Sequence, residues 1–88
     1  MKVHELKLHK QFELAVWSGN KQFEIRKNDR DYQIGDRIEF TVVDNDGNQQ
    51  PSLLDGRQYL ITYVLSGWGL QPGWVALGIR EVKRLEVT

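Results

Sequence analysis

The sequence predicts one small α+β domain, mainly β, in which five or six short mixed strands form a partly open barrel with one or two short helices. Three observations predict it. Most of the chain falls into short segments where apolar and polar side chains alternate, the period of a half-buried strand. Clusters of Gly, Asn, Asp and Pro separate those segments. Only residues 10–18 show helical spacing. Short strands with so little helix to cover them tend to close on themselves and leave no bare edge. With 88 residues the chain holds a single domain, 1–88, and one modest core.

Val3 to Leu8 reads as the first strand, with Leu6 and Leu8 on one face and Glu5 and Lys7 on the other. Residues 10–18 read as a helix. Phe12, Ala15 and Val16 fall on its core stripe, while Leu14 and Trp17 cover a second surface or stay exposed. Gly19 sits where a left-handed residue ends a helix, and Ser18 reads as a cap. The second strand spans about Gln22 to Lys27. Asn28 to Asp31 and Gln33 to Asp36 are turn chemistry. Arg37 to Val43 is the cleanest strand, with Ile38, Phe40 and Val42 inward and Arg37, Glu39 and Thr41 outward.

Asp44 to Arg57 reads as a long mobile loop with Leu53 and Leu54 pinning its far end. Gln58 to Leu65 carries apolar residues on both faces, which predicts a central strand buried on both sides. Ser66 to Gly73 is a Gly/Pro loop. Trp74 to Val82 is the fifth strand, with Val75, Leu77 and Ile79 inward, and Lys83 to Thr88 continues it or adds a sixth.

Composition removes several function classes. Twelve basic residues balance twelve acidic ones, and there is no cysteine, which excludes disulfides and thiolate metal sites. Nothing approaches the ~20 apolar residues of a membrane span, and the charged N-terminus does not read as a signal peptide. A cytoplasmic location is expected. The charge is unevenly spread. Residues 1–30 hold seven Lys/Arg against four Asp/Glu, and residues 31–57 hold two against six. A dense polyanion binder is not expected, but a local basic surface meeting a few phosphates is, with a shallow salt dependence.

The candidate site is the junction from Ser18 to Asp31. Alternation puts Gln22, Glu24 and Arg26 on one face of the second strand, between Phe23 and Ile25. Lys21 joins that face only if it lies in the loop before regular pleating begins. Arg26 then offers a fork to a phosphate or base edge, Lys21 a point charge, and Glu24 an acceptor for an exocyclic amine. The simpler reading is a Glu24–Arg26 surface pair contributing ~0–1 kcal/mol. Lys27 and Arg30 are candidates for a nucleic-acid backbone, whereas Asp29 and Asp31 read as turn residues. Trp68, between two glycines, is the best candidate for stacking on an unpaired base. Trp74 is expected in the core, and Trp17 as packing between helix and barrel. His4 and His9 have no spacing that suits a metal, so no metal or cofactor is expected.

The order of a short strand, a short helix, Ser18-Gly19-x-Lys21-x-x-Glu24-Ile25-Arg26, Asn28-Asp29-Arg30 and Gly35-Asp36 resembles the ASCH superfamily, whose fold is the PUA-like β-barrel. It is most similar to small bacterial and phage proteins with the Glu-Ile-Arg-Lys-Asn-Asp-Arg run. The segment Gly69-Leu70-x-Pro72-Gly73-Trp74-Val75-x-Leu77 also resembles that group. The resemblance implies RNA binding, with the helix-to-strand motif lining a cleft. One branch of the superfamily hydrolyses the amide of acetylated cytidine. This chain is similar to it at Gly19, Lys21 and Arg26 and departs from it at Glu24, where that branch carries a threonine nucleophile.

Three functions follow as expectations. The first is an RNA- or nucleotide-binding module whose cleft lies between the helix and the second strand, using Lys21, Glu24, Arg26, Lys27, Arg30 and Trp68. The second is an amidohydrolase on a modified pyrimidine nucleoside, with Lys21 as base or oxyanion partner and Glu24 as general base for water. The third is a protein-interaction module acting through the Trp68 loop.

Overall fold

The structure is a computed structural model that describes residues 1–83. Five strands, β1 (Val3–His9), β2 (Phe23–Lys27), β3 (Arg37–Val43), β4 (Tyr59–Ser66) and β5 (Trp74–Glu81), form one mixed sheet in the order β1-β3-β4-β5-β2. β1 runs parallel to β3, and the other neighbours are antiparallel. The mainly β, mixed-strand α+β fold is therefore as the alternation predicts. The sixth strand proposed for residues 83–88 falls almost wholly outside the described residues.

The inward faces of β1, β3, β4 and β5 supply the core: Leu6 and Leu8, Ile38, Phe40 and Val42, Tyr59 and Ile61, and Val75, Leu77 and Ile79. The Phe40 and Tyr59 rings meet at 5.4 Å. At one end His4 and Asp36 form a buried pair, Nε2 to Oδ2 at 2.9 Å. Asp36 also accepts from the Lys2 and Gln33 amides, which ties β1 to the turn that starts β3. Burial raises the Asp36 pKa. The bonds from His4, Lys2 and Gln33 and the nearby His4 charge outweigh it, and the carboxyl is held below its ordinary value.

Four expectations need correction. The helix is a 3₁₀ turn, Lys10–Phe12, running into α1 (Glu13–Trp17), and only Val16 of it is buried. Phe12, expected in the core, is 39% exposed, because the 3₁₀ turn rotates it off the α-helical stripe. β4 is central but not buried on both sides: Thr62 and Tyr63 are exposed and Leu60 only half-buried. A bulge between Ile61 and Tyr63 also breaks its alternation: Ile61 is 0% exposed and Tyr63 60%. Opposite the bulge sits Gly78, where a Cβ would lie 2.7 Å from Thr62 Oγ1.

The fourth correction is the 44–57 loop, which is bonded turn by turn. Asp44 Oδ1 accepts from the amides of Asp46 and Asn48, and Gln50 N donates to the Val42 carbonyl. Leu54, not Leu53, pins its far end, at 1% exposed. No helix among the described residues is long and apolar enough to cross a membrane.

Candidate functional site

β1 and β2 are the two edges of the sheet, and they face each other across a seam that arginine side chains bridge. Arg26 Nη2 donates to the Lys7 carbonyl at 2.6 Å, and Arg30 Nη1 to the Glu5 carbonyl at 3.2 Å. Between the edges lies a cleft of about 630 Å³, within the usual range for small-molecule sites. Its walls are β1, β2, the 3₁₀ turn and the start of β5. The cleft is therefore between the first and second strands, with the helical segment at one end, rather than between the helix and the second strand as the sequence suggests.

Local rules place each side chain. Gly19, at φ +83°, ends α1 in a left-handed turn, and Lys21 N closes on the Ala15 carbonyl at 2.9 Å. Lys21 thus precedes the pleated strand, which is the condition for joining the face of Glu24. Glu24 and Arg26 pair with Leu77 and Val75 of β5, so they share the inward face of those core residues. Phe23 and Ile25 point outward and stay half-exposed. The strand keeps its alternation but turns its polar side inward.

Glu24 is 3% exposed, which rules out the simple surface pair. Lys21 Nζ donates to Oε1 and to the Phe23 carbonyl, and Arg26 Nε donates to Oε2 at 2.9 Å. The Lys21 ammonium also lies 5.4 Å and 5.0 Å from the Phe12 and Phe23 ring centres, cation–π range. A buried carboxylate satisfied by two cations is the arrangement that burial of charge requires.

Five cations, Lys7, Lys21, Arg26, Lys27 and Arg30, line the cleft against two carboxylates, Glu24 and Asp29, which leaves three positive charges in surplus. Four aromatic residues border the cleft, Phe12, Tyr32 and Trp74 in the walls and the half-exposed Phe23 at the rim. A second hollow of about 580 Å³ has Arg37 and Arg57 against Glu39, Asp55 and Glu81, with no aromatic ring. Size does not separate the two hollows; charge and aromatic content do.

Of the residues singled out in the sequence, Lys21, Glu24, Arg26, Lys27 and Arg30 all line the cleft. Trp68 does not. It stands 90% exposed in the loop between β4 and β5, at φ +51° between two left-handed glycines. Trp74, expected in the core, is half-buried and forms a cleft wall. Trp17 is 41% exposed and stands outside the core cluster. Asp31, at φ +47°, accepts from the Gln33 side chain, and Asp29 lies 3.9 Å from Arg30. The histidines serve the fold: His4 bonds Asp36, and His9 bonds Asn45 and caps the Gln11 amide.

Sequence reasoning missed Lys7, Phe12 and, above all, Tyr32. Tyr32 is 4% exposed, and its ring packs on His4 at 4.8 Å. Burial raises its pKa; Arg30 and Arg26 oppose that rise, while Asp29 and Glu24 add to it. Its place directly after the Asn28–Asp31 turn was the only available signal.

Comparison with known proteins supports the same fold. Residues 3–79 match the family described as Domain of unknown function (DUF3850). A crystal structure titled as that of hypothetical protein PH0355 is similar over 93% of this chain and 100% of that one, with 18% identity and a TM-score of 0.58. No curated protein matches.

Proposed function

We propose that this chain, which belongs to the DUF3850 family, binds RNA or a nucleotide in the cleft between β1 and β2. One observation carries the reading: the cleft joins a surplus of three positive charges to four aromatic side chains. Cations position a phosphate backbone, and aromatic faces stack on unpaired bases. Arg26 keeps its Nη1 amino group clear of Glu24 and Lys7, and Arg30 keeps its Nη2. Both therefore have donors for a ligand. The resemblance to the ASCH superfamily points the same way, and a cytoplasmic location is part of this proposal. Trp68 stands outside the cleft as a second stacking surface for a strand that leaves it.

Binding is favoured over hydrolysis by the state of the Lys21–Glu24 pair. Lys21 donates to Glu24 and to a carbonyl, as a charge partner does, and both Glu24 oxygens already accept from cations. Neither group stands free to take a proton from water.

Fluorescence anisotropy with a short single-stranded RNA tests the proposal. Contact with two or three phosphates gives a log–log salt slope of about −1.4 to −2. Arg26→Ala is expected to weaken binding about tenfold, the loss of one charge-assisted bond. If wild type and Arg26→Ala bind equally poorly at low salt, the proposal fails.

A further inference from the structure

We infer that Tyr32, Arg26 and Arg30 form a subsite for a phosphate monoester, such as the terminal phosphate of a nucleotide or of an RNA strand. This rests on the reading of the cleft as a nucleotide site and names the group that its deep end recognises.

The first support is a hydroxyl without a partner. Tyr32 is 4% exposed, yet its hydroxyl makes no hydrogen bond among the described residues. It is also absent from the sealed, unpaired polar atoms, which are Arg37 Nε and Tyr59 Oη. A buried phenol that is neither bonded nor sealed opens on the cleft its residue lines. Unbonded within the protein and open to the cleft, it is a donor left for a ligand acceptor. The ring is fixed by His4, which Asp36 holds in turn.

The second support is spacing. Arg26 and Arg30 reach the carbonyls of Lys7 and Glu5, two residues apart on one strand edge. Such carbonyls lie roughly 7 Å apart. Two guanidiniums anchored on neighbouring carbonyls of one edge are placed to share a single phosphate, each donating to a different oxygen. Two guanidinium donors and one hydroxyl then meet the three terminal oxygens of a monoester, whereas an internal diester offers only two free ones. Apart from the Arg26 pairing with Glu24, the bonds that the two guanidiniums make to β1 go to neutral carbonyls, which a phosphate displaces as an acceptor. Two carboxylates also face the phenol. Glu24 is neutralised by Lys21 and Arg26, and Asp29 is largely exposed and 3.9 Å from Arg30.

The test compares one short RNA with and without a 5′-phosphate and a nucleoside with its monophosphate, with inorganic phosphate as competitor, at low salt. Wild type is expected to bind each phosphorylated form about tenfold more tightly, and inorganic phosphate to abolish the difference. Tyr32→Phe and, separately, Arg30→Gln are expected to reduce that preference to two- or threefold, the ratio between the two forms being the readout because both residues also border the RNA cleft. Arg30→Gln alters a half-exposed side chain and does not depend on the Tyr32 packing. If wild type binds both RNA forms equally well, the subsite is wrong while the RNA reading stands. If the variants weaken both forms alike, the monoester claim is likewise overturned. If no form binds, both readings fall.

Discussion

Replacing Glu24 with Gln keeps the side-chain volume and removes the charge at the centre of the cleft. The Glu24 side chain is 4% exposed, and those of Lys21 and Arg26 are 16% and 22% exposed. Removing one partner of a buried ion pair costs about 3–5 kcal/mol, because the other charge stays buried and uncompensated. Here Lys21 keeps the Phe23 carbonyl and Arg26 keeps the Lys7 carbonyl, and both reach cleft water. The expected loss is therefore lower, about 2–3 kcal/mol. For a domain of this size each kcal/mol moves Tm by about 4–8 °C, so Tm falls by roughly 10–20 °C. Urea unfolding followed by circular dichroism measures the loss directly, with an unchanged m-value showing that the folded state is intact. A loss under about 0.5 kcal/mol is what an exposed pair gives, and it would refute the buried network.

Further outcomes follow from the same structure. Gly78→Ala brings a methyl against Thr62 Oγ1, and overpacking of this kind costs about 1–3 kcal/mol. Combined with Thr62→Ala most of that loss is recovered, which a double-mutant cycle in urea reads. Leu54→Ala empties a side chain that is 1% exposed and is expected to cost about 2–5 kcal/mol, whereas a freely moving 44–57 loop would show almost no change. Asp36 is held below its unfolded value, so its stabilisation is complete above the unfolded pKa and disappears as pH falls through the lower folded one. Asp36→Asn is therefore expected to flatten the acid limb of the stability curve below about pH 4, and an unchanged limb would contradict the pairing. Trp68→Gly is expected to leave stability within about 0.5 kcal/mol, because the side chain packs on nothing and its left-handed backbone suits glycine.

Much of the fold was legible because strand alternation is a local signal. β3 shows it plainly: Ile38, Phe40 and Val42 are buried as their period demands. Two failures had causes that no local pattern carries. The β4 bulge puts Tyr63 on the opposite face from Ile61, and it is paired with Gly78 across the sheet, a tertiary fact. Phe12 left the core because a 3₁₀ turn has a different angular period from the α-helix its spacing suggests. The site was legible where its residues are close in sequence: Lys21, Glu24 and Arg26 converge as alternation and the Gly19 turn allow. Its other wall was not. Lys7 on β1 reads as an ordinary outward strand residue until the sheet brings that edge opposite β2. Tyr32, between two turns, carries no pattern of its own, and only the fold brings its ring against His4.

The central claim, that the seam between β1 and β2 is the ligand site, is tested most directly by NMR. Amide shifts of the labelled protein are followed while a short 5′-phosphorylated single-stranded RNA is added at low salt. The account predicts saturable shifts clustered at Lys7, Lys21, Glu24, Arg26, Lys27, Arg30, Tyr32 and Trp74, the two walls of one cleft. Shifts confined to the hollow around Arg37, Glu39 and Glu81, or none at all at saturating RNA, would contradict it.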